Sequence, residues 1–229
     1  MAIIEVKNLY KIYQESIIPV KAVNGIDISI EKGEFTAIVG PSGSGKTTFL
    51  NLVGGLDTPT EGEIFIDGTN LGELKPKQLI DYRLNNIGFV FQAYNLIPVL
   101  TALENVAFIM QLQGKKKDER NKIAKKLLED VGIGEKINER PSKLSGGQQQ
   151  RVSVARALAS KPKFILADEP TANLDSKSTS DLLDMMQKMN RESQITFIFS
   201  THDQRVMDKA RRIITIDDGK VVSDIIKDK

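Results

Sequence analysis

Gly40-Pro41-Ser42-Gly43-Ser44-Gly45-Lys46-Thr47 decides how this chain is read. It fits G-x-x-x-x-G-K-[ST], the pattern of a phosphate-binding loop. The setting agrees. Phe35-Thr36-Ala37-Ile38-Val39 before it is a short apolar run of strand type, and residues 48–53 after it read as a helix. Gly40, Gly43 and Gly45 lack a Cβ, so the backbone is expected to wrap closely around phosphate oxygens. The loop N–H groups then form a nest, and the helix start adds partial positive charge. Lys46 is expected to reach the β- and γ-phosphates, and the Thr47 hydroxyl to ligate Mg²⁺.

Outward from the loop, composition sets bounds. The 229 residues suffice for one sizeable core, or one domain with a smaller lobe. A hydrophobic fraction of 40% and a charged fraction of 27% are ordinary for a soluble globular protein. A net charge of +2 is too near neutral to argue for nucleic acid as a partner. The absence of cysteine excludes disulfides, thiol catalysis and Cys-based zinc sites. No apolar run approaches the roughly 18 residues that span a bilayer. The start, Met1-Ala2-Ile3-Ile4-Glu5, has no basic region of a secretory signal. A cytosolic protein is expected, free to dock on a membrane protein.

Upstream of the loop, residues 3–6 and 26–30 read as strands, with a polar loop running to Pro19. They suggest an antiparallel flap beside a nucleotide site. Tyr13 is a candidate stacking platform for an adenine ring, although taken alone it reads as a half-buried strand residue. Downstream, residues 54–62 are dense in turn formers and residues 63–67 form a strand turned by Gly68. A helix with Pro76 in its first turn follows over residues 76–84. Residues 87–91 make a buried strand that delivers Gln92. Polar residues at such strand ends tend to line the ligand crevice of α/β sheets. In isolation Gln92 is equally a loop amide.

From residue 93 to 144 no strand signal appears. Residues 103–111 look helical, and residues 118–131 carry an apolar stripe of Ile123, Leu127, Leu128 and Val131. The mixed-sign run Lys115-Lys116-Lys117-Asp118-Glu119-Arg120 reads as a solvated loop and helix start. This is a helical lobe inserted into an α/β core. Leu144-Ser145-Gly146-Gly147-Gln148 then opens a helix through Ala159, with Ser145 as N-cap and two glycines that let a ligand approach the first turn. One nucleotide has one set of γ-phosphate oxygens. The second cradle therefore suits a nucleotide held by another copy of the chain.

Phe164-Ile165-Leu166-Ala167-Asp168-Glu169 is an apolar strand ending in two carboxylates. In phosphate-loop NTPases an Asp here helps to hold Mg²⁺. Glu169, expected on the other side of the strand, could orient and polarise an attacking water. Asn173-Leu174-Asp175 leads into a helix with Leu182, Leu183 and Met186 on one face. Residues 195–199 form another core strand that ends at His202, the chain's one histidine. A lone His is ordinarily a packed or surface residue, but this strand end faces the γ-phosphate in such an architecture. Residues 213–216 and 220–222 make a closing hairpin around Asp217-Asp218-Gly219, before a polar Lys227-Asp228-Lys229 tail.

Together these residues resemble the nucleotide-binding subunit of an ABC transporter, over essentially the whole chain. The resemblance implies a phosphate-loop NTPase core of mostly parallel sheet with flanking helices, an antiparallel β subdomain and an inserted α-helical subdomain. Its expected extents are one domain over 1–229, with core and flap at 1–92 and 162–229 and the helical lobe at 93–161. In family terms, residues 40–47 match the Walker A loop, residues 164–168 the Walker B strand and residues 144–148 the signature LSGGQ. Tyr13 matches the adenine-stacking tyrosine, Gln92 the Q-loop, Asp175 the D-loop and His202 the switch histidine.

The resemblance implies Lys46, Glu169 and His202 as catalytic residues. It implies ATP contacts from Tyr13, Gly40, Pro41, Ser42, Gly43, Ser44, Gly45, Lys46, Thr47, Thr48 and Gln92. Contacts from a second copy are implied for Ser145, Gly146, Gly147, Gln148 and Asp175, and Mg²⁺ ligation for Thr47, Gln92 and Asp168. The cofactors it implies are ATP and Mg²⁺.

The finer resemblance is to the LolD/MacB-like branch, through residues 54–62, 88–98 and 100–105. MacB continues into a membrane domain. A separately encoded permease is therefore expected, docking on the helical lobe near residues 92–105 and holding the chain at the inner face of the cell membrane. An ATP-dependent homodimer driving export or lipoprotein or peptide release is one implied function. An ATPase of a mechanotransmission complex, which regulates an envelope enzyme without moving cargo, is the alternative. A soluble ATPase acting on ribosomes or DNA fits less well. Such proteins usually carry two linked cassettes or long coiled-coil inserts.

Overall fold

The computed structural model describes residues 2–14 and 19–227. Residues 15–18 of the early polar loop, and Asp228 and Lys229 of the tail, lie outside them. In chain order the elements are β1 (Ala2–Tyr13), β2 (Val20–Glu31), β3 (Phe35–Val39), α1 (Lys46–Val53), β4 (Glu61–Ile66), β5 (Thr69–Asn70), α2 (Pro76–Asn86) and β6 (Ile87–Val90). Then come α3 (Ala102–Leu112), α4 (Lys117–Asp130), α5 (Gly146–Ala159), β7 (Phe164–Asp168), α6 (Ser176–Ser193), β8 (Thr196–Ser200), α7 (Gln204–Lys209), β9 (Arg212–Asp217) and β10 (Lys220–Ile226).

The strands make two sheets. One has the order β2-β1-β4-β5 and is antiparallel throughout. The other has the order β10-β9-β3-β8-β7-β6 and is parallel except for its edge strand β10. The first two strands are longer than their apolar runs predict. β1 runs on from residue 6 to Tyr13 through register shifts on β2, which carry the pairing past the irregular Asn8.

Period-two alternation tells the faces of the parallel sheet apart. Ile38 of β3, Phe164 and Leu166 of β7 and Ile198 of β8 pack toward α1 and the antiparallel sheet, with Phe49, Leu52, Ile4 and Ile30. Their neighbours Phe35, Ala37, Ile165, Phe197 and Phe199 face the other way, against Val154 of α5 and Leu182 and Met186 of α6. Fully burying each such side chain contributes about 1.5–3 kcal/mol, so both faces of the sheet are firmly covered. The phosphate loop leaves β3 at the carboxyl edge of this sheet, where β7 and β8 also end.

Between β6 and β7 the chain forms α3, α4 and α5 around a third core of Val106, Met110, Leu128, Val131, Val152 and Ala155. α3 begins at a capping box. Thr101 accepts from Glu104 N, and Glu104 reaches back to Thr101 N. α5 begins at another, between Ser145 and Gln148. α5 also reaches the sheet core through Val154, Ala157 and Leu158, so it belongs to both packing units.

Candidate functional site: a phosphate cradle at the carboxyl edge of the sheet

α1 starts at Gly45, whose φ of +102° is left-handed, and no side chain caps its first turn. The first N–H groups of the helix therefore face the loop's concavity, as an anion site requires. The loop glycines serve two different needs. A Cβ on Gly40 would lie 2.0 Å from the Ile216 carbonyl oxygen, and one on Gly45 would lie 2.0 Å from that of Ala22. Those two are needed for packing against the protein's own backbone, a reason for glycine that the motif alone does not show, and both also line the cavity over the loop. At Gly43, with φ +80°, an added Cβ would have nothing within 4 Å, so no own-chain contact calls for glycine there. The β9–β10 turn holds the loop from behind, with Gly219 N donating to Ser44 O at 3.0 Å.

A cavity of about 730 Å³ opens over the loop. Gly40, Pro41, Ser42, Gly43, Gly45, Lys46, Thr47 and Thr48 line one side of it. Tyr13, Gln92, Glu169 and His202 line the rest. Candidate residues from five separate segments of the sequence thus meet in one place. Ser44 lies buried beneath the loop rather than in the cavity wall.

Lys46 is 8% exposed and its Nζ donates to the carbonyls of Gly40 (2.9 Å) and Pro41 (2.8 Å), which aim the ammonium across the cradle. Thr47 Oγ1 donates to Asp168 Oδ1 at 3.1 Å. That hydroxyl–carboxylate pair offers hard oxygen donors. Mg²⁺ usually takes one or two carboxylates together with substrate phosphates and waters, so the residues fit it. Among the described residues no cluster of three or more His, Cys, Asp or Glu could hold a metal ion by itself.

Glu169 departs from the expectation that strand alternation aims it. β7 ends at Asp168, and Glu169 has φ +45°, with its N–H donating to Ser200 O at 2.8 Å. The turn, not the strand, directs its carboxylate. Oε1 accepts from His202 Nδ1 at 2.7 Å, and Oε2 accepts from Thr201 Oγ1 at 3.3 Å. The two residues given separate roles are therefore a bonded pair. With Nδ1 turned to the carboxylate, His202 has Nε2 left to face the cavity, and its side chain is 74% exposed.

Tyr13 donates its hydroxyl to Asp57 Oδ2 at 2.9 Å. Burial, then the bond to Asp57, push its phenol above the ordinary value, against a Thr48 hydroxyl that draws it down.

The signature residues are not among those that line this cavity. Ser145 and Gln148 satisfy each other in the capping box. The first-turn donors left over belong to Gly146 and Gly147. A Cβ on Gly146 would press on the Tyr94 hydroxyl at 2.8 Å, and one on Gly147 on Ser178 Oγ at 2.9 Å. Own-chain packing thus requires these glycines as well as any ligand. Asp175 N-caps α6, accepting from the N–H groups of Lys177 and Ser178.

Several supporting residues carry no signal in the sequence. Gln150 of α5 is fully buried and donates to Pro170 O at 2.7 Å and Phe91 O at 3.4 Å. Asn173 Nδ2 donates to Gln92 O at 3.0 Å. Thr171 Oγ1 donates to Asp203 Oδ2 at 2.9 Å, beside His202. Arg156 donates to the carbonyls of Tyr94 and Asn95, both at positive φ, and burial pulls its guanidinium below the ordinary value. Of the partners in these bonds, Gln92 at its strand end and Asp203, an N-cap residue next to the histidine, have a local signal that could be read.

A second, mostly apolar groove of about 480 Å³ lies on the helical lobe's side. Ile80 and Arg83 of α2, Phe89, Ile97, and Phe108 and Leu112 of α3 are among its walls. Among the described residues no helix is long and apolar enough to cross a membrane.

Comparison with known proteins agrees with this geometry. A family model described as "ABC transporter" matches residues 23–172. An uncharacterised ABC transporter ATP-binding protein of Methanocaldococcus jannaschii is 47% identical over 224 residues, covering 98% of this chain and 100% of that protein. The macrolide export ATP-binding/permease protein MacB of Hyphomonas neptunium is 46% identical over 222 residues, covering 97% of this chain but 34% of MacB. The chain thus spans about a third of that relative's length. The ATP-binding cassette MJ0796, in a dimeric post-hydrolysis state bound to ADP and Pi, superposes with a TM-score of 0.91 at 42% identity, covering 99% of each chain. The chain belongs to the ABC transporter family, as an ATP-binding subunit with a phosphate-loop ATPase fold that hydrolyses ATP with Mg²⁺ as cofactor.

Proposed function

We propose that two copies of this chain close head to tail over two ATP molecules and drive a membrane-spanning partner. The observation that carries this reading is the separation of two anion sites. The phosphate loop, Glu169 and His202 line one cavity, with Asp168 bonded to Thr47 of its wall, whereas Gly146 and Gly147 open a different helix outside its walls. A second copy turned by a two-fold axis would bring its Ser145, Gly146, Gly147, Gln148 and Asp175 to the open side of the cradle. The dimeric cassette structures of MJ0796 support such a pairing.

In this reading Tyr13 stacks on the base while the loop N–H groups and Lys46 bind the phosphates. Thr47 and Asp168, with Gln92, would hold Mg²⁺, which when bound neutralises phosphate charge. Phosphoryl transfer to water needs alignment and charge stabilisation more than covalent help. Glu169 orients the water and takes up its proton, and His202 contacts the γ-phosphate. Because Nδ1 faces Glu169, Nε2 is the ring nitrogen left to meet a phosphate oxygen.

The apolar groove is the seat for the membrane partner. Ile80 and Leu112 on its walls are 57% and 55% exposed, so a helix of the partner would cover apolar surface now facing water. Likeness to MacB supports export as the direction of work and the inner face of the membrane as the place. The test is Glu169→Gln. It should keep ATP affinity, lose turnover and elute as a dimer on size exclusion when ATP and Mg²⁺ are present. Turnover at the parent rate would remove Glu169 from the chemistry. A monomer under those conditions would remove the shared-site reading.

A further inference from the structure

We infer that Asp57 and Lys11 are positioning residues that fix the Tyr13 ring, as a base platform, at a set distance from the phosphate loop. The inference rests on the reading of Tyr13 as the surface on which the base stacks. Asp57 sits in the turn that leaves α1. Leu56 N and Asp57 N both donate back to Asn51 O, at 2.8 and 3.3 Å, so the turn is tied to the helix body. The Asp57 carboxylate then grips β1 twice. Oδ2 accepts from the Tyr13 hydroxyl at 2.9 Å, and Oδ1 accepts from Lys11 Nζ at 2.6 Å. Lys11 Nζ also donates to Thr58 O at 2.8 Å. Backbone bonds close the seam, with Thr60 N donating to Tyr10 O and Ile12 N donating to Thr60 Oγ1.

One helix therefore references both halves of the nucleotide site. Its first turn carries Lys46, Thr47 and Thr48 on the cavity wall, and its far end carries the turn that holds Tyr13. The Thr48 hydroxyl of that first turn also lies against the Tyr13 phenol, so both ends of the helix bear on the ring. Lys11 adds a second constraint. Its ammonium lies 5.0 Å from the centre of the Tyr13 ring, and Lys11 is not among the residues lining the cavity. The cation thus covers one face of the ring and leaves the opposite face for a base. A ring backed by a cation is also a better partner for an electron-rich purine, because the cation draws on the same π cloud. The Lys11 and Asp57 side chains are 14% and 29% exposed, so neither is a free surface charge.

The test separates base from phosphate. The full chain, with Mg²⁺, is titrated calorimetrically with ATP and with inorganic tripolyphosphate. Asp57→Ala should raise the ATP dissociation constant roughly five-fold, about 1 kcal/mol, because a freed ring stacks less well. Its tripolyphosphate affinity should equal the parent's, which also shows that the loop is intact. Lys11→Met should act in the same direction by a smaller factor. Adding Asp57→Ala to Tyr13→Ala should make ATP binding no weaker than Tyr13→Ala alone.

Unchanged ATP affinity in Asp57→Ala would overturn the inference. So would a parallel loss of tripolyphosphate, which would make Asp57 a support of α1 alone, or full additivity with Tyr13→Ala. Tyr13→Phe, which keeps the ring and removes the hydroxyl that Asp57 holds, repeats the test if the alanine variant does not fold. If Tyr13→Ala itself leaves ATP affinity intact, the platform reading fails. If Tyr13→Ala weakens ATP and Asp57→Ala does not, only the positioning claim fails.

Discussion

Gly43→Ala and Gly45→Ala look equivalent in the sequence and should behave differently. Both positions are left-handed, at φ +80° and +102°. A side chain there costs about 1–2 kcal/mol in backbone strain alone. At Gly43 the added methyl meets no protein atom within 4 Å, so strain is the whole stability cost. At Gly45 the methyl would stand 2.0 Å from the Ala22 carbonyl oxygen. The nearest tolerable Cβ contact is 3.0 Å, so β2 or the loop must give by about 1 Å. Such overpacking adds about 1–3 kcal/mol. For a chain of this size each kcal/mol lowers the melting temperature by about 2–4 °C, so Gly43→Ala should lose roughly 5 °C and Gly45→Ala roughly 10 °C.

The ligand side runs in the other sense. Gly43 lines the cavity, so a methyl there would stand in open space beside the place where phosphate oxygens would meet loop N–H groups. Loss of one charge-assisted hydrogen bond is worth about 1.5–3 kcal/mol, so Gly43→Ala should bind ATP at least about tenfold more weakly. The assays are thermal melting without nucleotide and ATP titration. A Gly43→Ala protein that binds ATP like the parent would refute the cradle geometry. One that melts as low as Gly45→Ala would refute the division between packing and ligand glycines.

Other outcomes follow from the same structure. Arg212 donates to Glu34, to Ser29 O of β2 and, through two nitrogens, to Asp224 of β10, so it stitches the antiparallel sheet to the core sheet. Arg212→Met strands two partly covered carboxylates and should cost about 2 kcal/mol by chemical denaturation, below the range for a fully buried pair. The hydrogen bond from Arg212 holds the Asp224 carboxyl below its ordinary value. That contribution is full above the unfolded carboxyl value near pH 4 and is lost as pH falls through the lower folded value. Asp224→Asn should therefore flatten the acid limb of a stability–pH curve below about pH 4 and leave its neutral slope alone. Arg156→Met keeps the stem in the groove and removes the donors to Tyr94 and Asn95. ATPase activity of the chain alone should stay near the parent's, while stimulation by a membrane partner in vesicles is lost; retained stimulation would count against the linkage.

What the sequence made legible was local. The phosphate loop, its strand and its helix occupy one continuous stretch, and the glycines that its left-handed turns demand are visible as letters. The Ser145 N-cap is likewise local, and α5 ends at Ala159, where the pattern places its end. Illegible were relations that only folding creates. Glu169 and His202 are 33 residues apart and bond because β7 and β8 are neighbours in register, Asp168 beside Ser200. Nothing in the run Asp57-Thr58-Pro59 announces a partner 44 residues upstream at Tyr13. Gln150 reads as one of three consecutive glutamines, yet it alone is fully buried, because helical geometry turns one of the three to the sheet. At Gly40 and Gly45 even the need for glycine has a cause the local motif does not show, since the carbonyls of Ile216 and Ala22 lie far away in the chain.

These long-range contacts give α5 a mechanical position that its sequence does not suggest. Its first turn presents Gly146 and Gly147, the surface assigned to a second copy's nucleotide. One turn on, Gln150 bonds the loop after Glu169 through Pro170 and the strand before Gln92 through Phe91. Near its end, Arg156 bonds Tyr94 and Asn95 and lines the apolar groove. The helix therefore touches the Glu169 loop, the Gln92 loop and the apolar groove. A packed helix moves as a rigid body more readily than it bends, because its core contacts with Val152, Val154 and Ala155 are fully buried and close-packed. A shift of the Glu169 loop is then felt at the groove without any wire of intermediate residues. The elements able to yield are the left-handed Tyr94 and Asn95, whose backbone strain is sustained by the Arg156 bonds. Under the proposed function, coupling between ATP and a membrane partner would rest on this one helix bearing on the loop of Tyr94 and Asn95.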